Sequence, residues 1–279
     1  MGKRATEKMK KCRVMGLVFL VVFLTANILH AGQQTVLLQA NESPPIWSET
    51  LPLGGMGTEI VQAISKEMGI KTCIEFVPLK RMIADTTNND LGNPIFYMNN
   101  QDFAAIIPIA VSYNSFFTYH KDTKKLSSIR EPKEKRIGIL TGSNANPKLL
   151  SHFGKFEESY STNSLFKKLN AQRIDIVVAL DLVGLETIRT LFPNHIDLFS
   201  IQVIPASASP IAIMIDSKYP DANTLALHYQ EGLRRIIKNG TYRKILEKYY
   251  NKTTIPANWH SDLSKFEKIY STSLEGDGL

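Results

Sequence analysis

Cysteine is almost missing from this sequence. Its 279 residues contain two, Cys12 and Cys73. So small a supply excludes a disulfide framework and a cysteine-built zinc site. The histidines, at positions 30, 120, 152, 195, 228 and 260, are scattered without metal-ligand spacing. There is no Gly-x-Ser-x-Gly elbow and no phosphate loop, and Gly54-Gly55-Met56-Gly57 does not match a dinucleotide fingerprint. No metal or organic cofactor is expected. Long hydrophobic runs are scarce as well. Val14 to Leu29 carries no charge but spans sixteen residues, short of the ~20 that a helix needs to cross a bilayer.

What the N-terminus does have is an order. Lys3, Arg4, Lys8, Lys10, Lys11 and Arg13 form a basic head, the apolar run follows, and His30-Ala31-Gly32 offers small residues at which to cut. Positive, apolar, small is the layout of a secretory signal peptide, expected over residues 1–31. It directs the mature protein to the periplasm. Cys12 precedes the apolar run, whereas a lipid-acceptor cysteine would follow it. The formal charge of +7 belongs mostly to this segment, and the remainder holds 27 basic and 25 acidic residues. A balance of +2 removes the support for a nucleic-acid partner. With Cys73 as its lone thiol, the mature chain has no internal disulfide. The alternation of Lys71 to Val77 predicts Cys73 in a strand as a small buried hydrophobe.

Beyond Gly32 the sequence alternates strand and helix patterns. Thr35 to Gln39, Lys71 to Val77 and Ile95 to Met98 read as strands, and Thr58 to Met68 as a helix capped by Thr58 and ended by Gly69. Leu79 to Thr87 predicts a short helix after Pro78. Further strands are expected at Phe116 to His120, Arg136 to Leu140, Ile174 to Ala179, Ile201 to Ile204 and Pro210 to Ile215. Helices are expected near Pro147, around Leu165 to Leu169, over Val183 to Leu191, and through Ala222 to Tyr250 with a break at Asn239-Gly240. Residues 251–279 read as a polar surface tail. Alternation of this kind predicts α/β architecture with mostly parallel sheets.

The order of segments resembles a known family. Asn41-Glu-Ser-Pro-Pro-Ile46, Gly57-Thr-Glu-Ile-Val-Gln-Ala-Ile64, Ile129 to Gly142, Leu169-Asn-Ala-Gln-Arg-Ile-Asp175 and Ile236-Ile-Lys-Asn-Gly-Thr-Tyr-Arg-Lys-Ile245 stand in the order found in bacterial extracellular solute-binding proteins of family 3, which serve amino-acid uptake. The resemblance implies a two-lobed periplasmic-binding-protein fold of type II, each lobe a mixed sheet flanked by helices. It places lobe one at 32–113 plus 205–250 and lobe two at 114–204, with crossings near Val111 to Asn114 and Ile204 to Ala206.

The same resemblance nominates ligand-binding residues, each of which also has an ordinary structural reading. Trp47 would stack on a ligand or simply pack its lobe. Arg81 would grip a carboxylate or lie solvated on its helix. Tyr97 and Met98 end the expected third strand, and Asn99 and Asn100 follow it. The family's amino-acid binders carry their carboxylate-binding arginine here, and Phe96 to Asp102 contains none. Thr141, Ser143 and Asn144 form a turn opening a helix, either an anion site or an N-cap. Asp181 would pair with a ligand ammonium or cap the helix that follows it. The implied role is capture of a small polar solute, amino-acid-like or an organic acid, by a monomer that passes it to a membrane permease of the ABC type. A dehydratase-like enzyme on the same scaffold and a sensor module presenting ligand to a receptor are the alternatives.

Overall fold

The computed structural model describes residues 35–85, 87–97, 102–121, 135–141, 155–250 and 255–272. The expected signal peptide and the expected helix near Pro147 lie outside the described residues. The chain divides into two compact units, Met1–Val36 and Leu37–Leu279, and the fold is that of the second. Among the described residues no helix is long and apolar enough to cross a membrane.

The first half opens with β1 (Val36–Ala40), a long loop, and α1 (Met56–Met68). Ile60, Val61 and Ile64 are buried on one side of α1, and Gly69 ends it in the left-handed conformation at φ 68°. Thr58 is not the cap. Gly55 holds that place, and the amides of Met56 and Gly57 donate to the carbonyls of Pro45 and Ile46 at 2.9 Å each. Next come β2 (Thr72–Phe76), α2 (Leu79–Ala84) and β3 (Asp90–Gly92). The expected strand at Ile95 to Met98 is replaced where it can be seen. Pro94–Phe96 is a turn of 3₁₀ helix, because Pro94 cannot donate to a ladder and the Asn93 side chain accepts from the Ile95 amide at 3.1 Å. Cys73 is exposed, not buried. It lies on β2, at the end of the sheet, and shares the outward face with Glu75 while Thr72, Ile74 and Phe76 turn inward.

Two long strands organise the rest: β4 (Phe103–Tyr119) and β8 (Phe199–Asp216). They pair antiparallel from Phe103 opposite Asp216 to Tyr119 opposite Phe199. Between them in sequence lie β5 (Arg136–Leu140), β6 (Lys155–Ser159), α3 (Thr162–Asn170), β7 (Ile176–Leu180) and α4 (Asp181–Leu191). The described strands form one mixed sheet in the order β2-β1-β3-β8-β4-β7-β5-β6. One end of the long pair carries β3, paired with β8 from Gly92 to Asp90; the other carries β7, paired with β4 from Asn114 to Phe117. Each α/β half is therefore built on a different end of the same two strands. The strand period of two sends Phe116 and Phe117 to opposite faces. Phe116 joins Ile137, Ile139, Ile176 and Val178, while Phe117 joins Leu165, Phe166, Leu169 and Ile188 beneath the helices.

The chain ends in α5 (Ala222–Lys238), α6 (Thr241–Tyr250) and α7 (Trp259–Thr272). The last corrects the expected surface tail. Trp259 is fully buried, its indole N–H donates to the Tyr242 hydroxyl at 3.1 Å, and its ring meets Tyr250 edge-on at 5.3 Å.

Candidate ligand-binding cleft

A cavity of about 670 Å³ is lined from both halves of the sheet. The loop after β1 supplies its first wall. Ser43 and Trp47 form an isolated bridge, in which the Ser43 amide donates to the Trp47 carbonyl at 2.8 Å. Ser48 donates to Glu42 Oε1 at 2.5 Å, and the Glu49 amide to the other oxygen at 2.8 Å. The loop is thus fixed by its own polar groups. Trp47 lies against the start of α1, where a Cβ on Gly57 would come within 2.5 Å of the indole. The lack of a side chain at Gly57 is what lets the ring settle there while lining the cavity. Both readings of Trp47 are therefore compatible: it packs its own half and offers a surface to the cleft.

Tyr97 and Phe96 extend this aromatic wall. Tyr97 is nearly inaccessible, and its hydroxyl points at Met82 Sδ at 3.9 Å. Burial, with the nearby Asp90 charge, pushes its phenol well above the ordinary range, so it remains neutral. The floor comes from the long strands, through Ser112 and Asn114 of β4 and Ser209 and Ile211 of β8. The facing wall is Leu140, Val178 to Leu180, the start of α3 and one side of α4. On α4, Val183, Glu186, Thr187 and Thr190 recur at helical spacing. Thr187 returns its hydroxyl to the Val183 carbonyl at 2.7 Å, whereas Asn114, Thr162 and Asn163 make no side-chain hydrogen bond among the described residues. Glu186 is the one charged side chain among the described lining residues, with Arg189 Nη1 at 3.9 Å.

The nominated residues divide three ways. Trp47 and Tyr97 line the cavity. Thr141 adjoins the lining residue Leu140 without itself being part of the lining, and Met98, Asn99, Asn100, Ser143 and Asn144 lie outside the described residues. Arg81 and Asp181 are not part of the lining. Arg81 is exposed on α2, and Leu79, two positions earlier, is the residue that reaches the cavity. Asp181 is fully buried at the start of α4, where it accepts from the Tyr113 amide at 3.3 Å and the Tyr250 hydroxyl at 2.5 Å. Its carboxyl is engaged inside the protein, raised to about 6 by burial against the opposing pull of those hydrogen bonds. Glu186, Asn163 and Asn114 were not singled out from sequence. Only the periodicity of α4 carries a signal for Glu186.

Solved structures share this fold. The glutamate-bound GluR0 ligand-binding core from Nostoc punctiforme superimposes with a TM-score of 0.55 at 19% identity, over 77% of this chain and 99% of its own. The fold is that of the two-lobed, type II periplasmic binding proteins. The arginine-, lysine-, histidine-binding protein ArtJ from Geobacillus stearothermophilus matches with a TM-score of 0.55 at 16% identity, over 83% of this chain and all of its own. A histidine kinase sensor domain similar to periplasmic binding proteins gives 0.55 at 16% identity, over 78% and 97%. No protein-family pattern and no curated protein matches the chain in sequence. In proteins of this fold a cavity lined from both lobes is where closure would enclose a ligand.

Proposed function

We propose that this chain is an extracytoplasmic solute-binding protein, similar to those of family 3. It captures a small polar solute between two lobes and delivers it to an ABC-type permease. The observation that carries this reading is the cavity of about 670 Å³ shared by two half-sheets that are joined through β4 and β8. Its size suits a small molecule. Lobe one comprises 32–113 and 205–250, lobe two 114–204, and residues 1–31 are removed on export to the periplasm. Trp47 and Tyr97 supply lobe one's surface, and Thr141, Ser143 and Asn144 are the residues assigned to lobe two's. Binding requires no covalent step.

A thermal-shift screen of small polar solutes on the exported protein tests this. A ligand at 100 times its dissociation constant adds about 2.7 kcal/mol to the folded state. For a chain of this size that raises the melting temperature by about 5–10 °C. A broad panel with no shift would defeat the reading. Slow turnover of a bound compound would replace it with the enzyme.

A further inference from the structure

The cleft is built from chain that carries charge of one sign. Among the described residues that line it there is not one lysine or arginine. The one charged side chain they do include is Glu186. Two lining positions have cationic neighbours: Leu79 precedes Lys80 and Arg81, and Thr190 follows Arg189. None of these three cations is part of the lining.

Taking the chain as a cleft-binding protein, as proposed above, we infer that its ligand is an organic ammonium ion with an apolar body and no carboxylate. A carboxylate enclosed here would lose its hydration without meeting an opposite charge among the described lining residues, which costs several kcal/mol. An ammonium meets Glu186 on α4, which is about one-third exposed and only loosely engaged by Arg189 at 3.9 Å. The amide oxygens of Asn114 and Asn163, uncommitted among the described residues, are further acceptors. The remaining surface suits hydrocarbon. Trp47, Phe96 and Tyr97 form one side, and Leu165, Val178 and Val183 the other. Phe96 is the exposed ring of the three, and an exposed aromatic ring also attracts a cation directly. An α-amino acid would satisfy this site at one end only.

Two matched sets of probes separate the possibilities: phenethylamine, hydrocinnamate and phenylalanine; pentylamine, hexanoate and norleucine. Each set holds the apolar body constant and changes the charge. Titration calorimetry on the exported protein should show an amine binding about 10-fold or more tightly than its matched acid and amino acid, as a charge-assisted hydrogen bond provides. Glu186→Gln should weaken the amine by a similar factor while leaving the urea midpoint unchanged. An acid or amino acid that binds as well as its amine overturns the inference and leaves the cleft-binding reading standing. So does an amine that ignores the Glu186→Gln change. If no probe binds but another solute in the thermal-shift panel does, the inference fails alone; if nothing binds at all, both fail.

Discussion

Asp181 occupies a place where a carboxylate is poorly accommodated. It is fully buried, and its partners are the Tyr250 hydroxyl, the Tyr113 amide and the backbone at the start of α4. The titratable groups packed about it include Tyr113, Tyr242 and Tyr250, all raised chiefly by burial, and beyond Tyr113 lies Asp262, which accepts from that phenol at 3.0 Å. The groups that hydrogen-bond to it are all neutral. With the folded carboxyl raised to about 6 from 3.8, the folded state holds a proton that the unfolded state has released. Stability from this group is greatest below the unfolded value and is lost as pH rises through about 6. The loss at neutral pH is on the order of 3 kcal/mol. Asp181→Asn keeps one acceptor oxygen, presents an amide N–H2 in place of the other, toward which the Tyr250 hydroxyl can turn its oxygen, and removes the ionisation. Its urea midpoint should gain on the native protein's between pH ~4.5 and ~7.5. Glu267, also raised by burial, contributes equally to both proteins and cancels. Parallel pH profiles would show that Asp181 does not titrate in this way.

Among the elements, α7 shows how a polar composition can hide a structural role. Trp259, Leu263, Phe266 and Tyr270 recur at the spacing of one helical face, but eleven of the fifteen residues from Trp259 to Ser273 are polar, charged or tyrosine, and the segment reads as a tail. The structure buries Trp259 and Leu263. Trp259→Ala removes the indole's contacts with Tyr113 and Tyr250 and leaves the Tyr242 hydroxyl without its donor. It should cost about 3–5 kcal/mol, measured by urea unfolding; a loss below about 1 kcal/mol would mean that α7 is dispensable. Elements with strong local signals were legible: α1 with Gly69, the helical pair broken at Asn239-Gly240, and the buried strands β1, β5 and β7. What decided the rest was not local. Asn93 diverted the expected third strand into a 3₁₀ turn, and position at the sheet's end exposed Cys73. Of the residues nominated from the sequence, Trp47 and Tyr97 line the cavity, and both are aromatic residues, Trp47 in the loop after an expected strand and Tyr97 close to the end of one. The cleft was not legible at Glu186, because only the packing of α4 decides which of its faces meets the cavity.

At the scale of the whole fold, the two halves share a backbone. β4 and β8 run through both, and their ladder is interrupted where Tyr113 opposes Ala208 and Ser115 opposes Val203. Residues 204–207 therefore stand opposite Asn114 alone. Ala206 there takes a left-handed φ of 57°, and the Ser207 hydroxyl lies 2.7 Å from the Ile204 carbonyl and 3.1 Å from the Asn114 carbonyl. The ladder has two other shifts of register, at Phe103/Ala105 and Pro108/Ala110, but this one leaves four residues of β8 opposite a single residue of β4, so few inter-strand bonds have to break for the pair to bend here. Asn114 also lines the cavity, so the weak level of the ladder is the floor of the cleft. A ligand touching both walls stabilises the closed arrangement by its added contacts, and can shift the equilibrium by no more than that difference. Solution scattering from the exported protein should then show a smaller radius of gyration when any solute of the panel that binds is saturating. Equal radii, with binding confirmed by calorimetry on the same sample, would mean that the cavity fills without movement about residues 204–207, and that β4 and β8 act as a rigid spine.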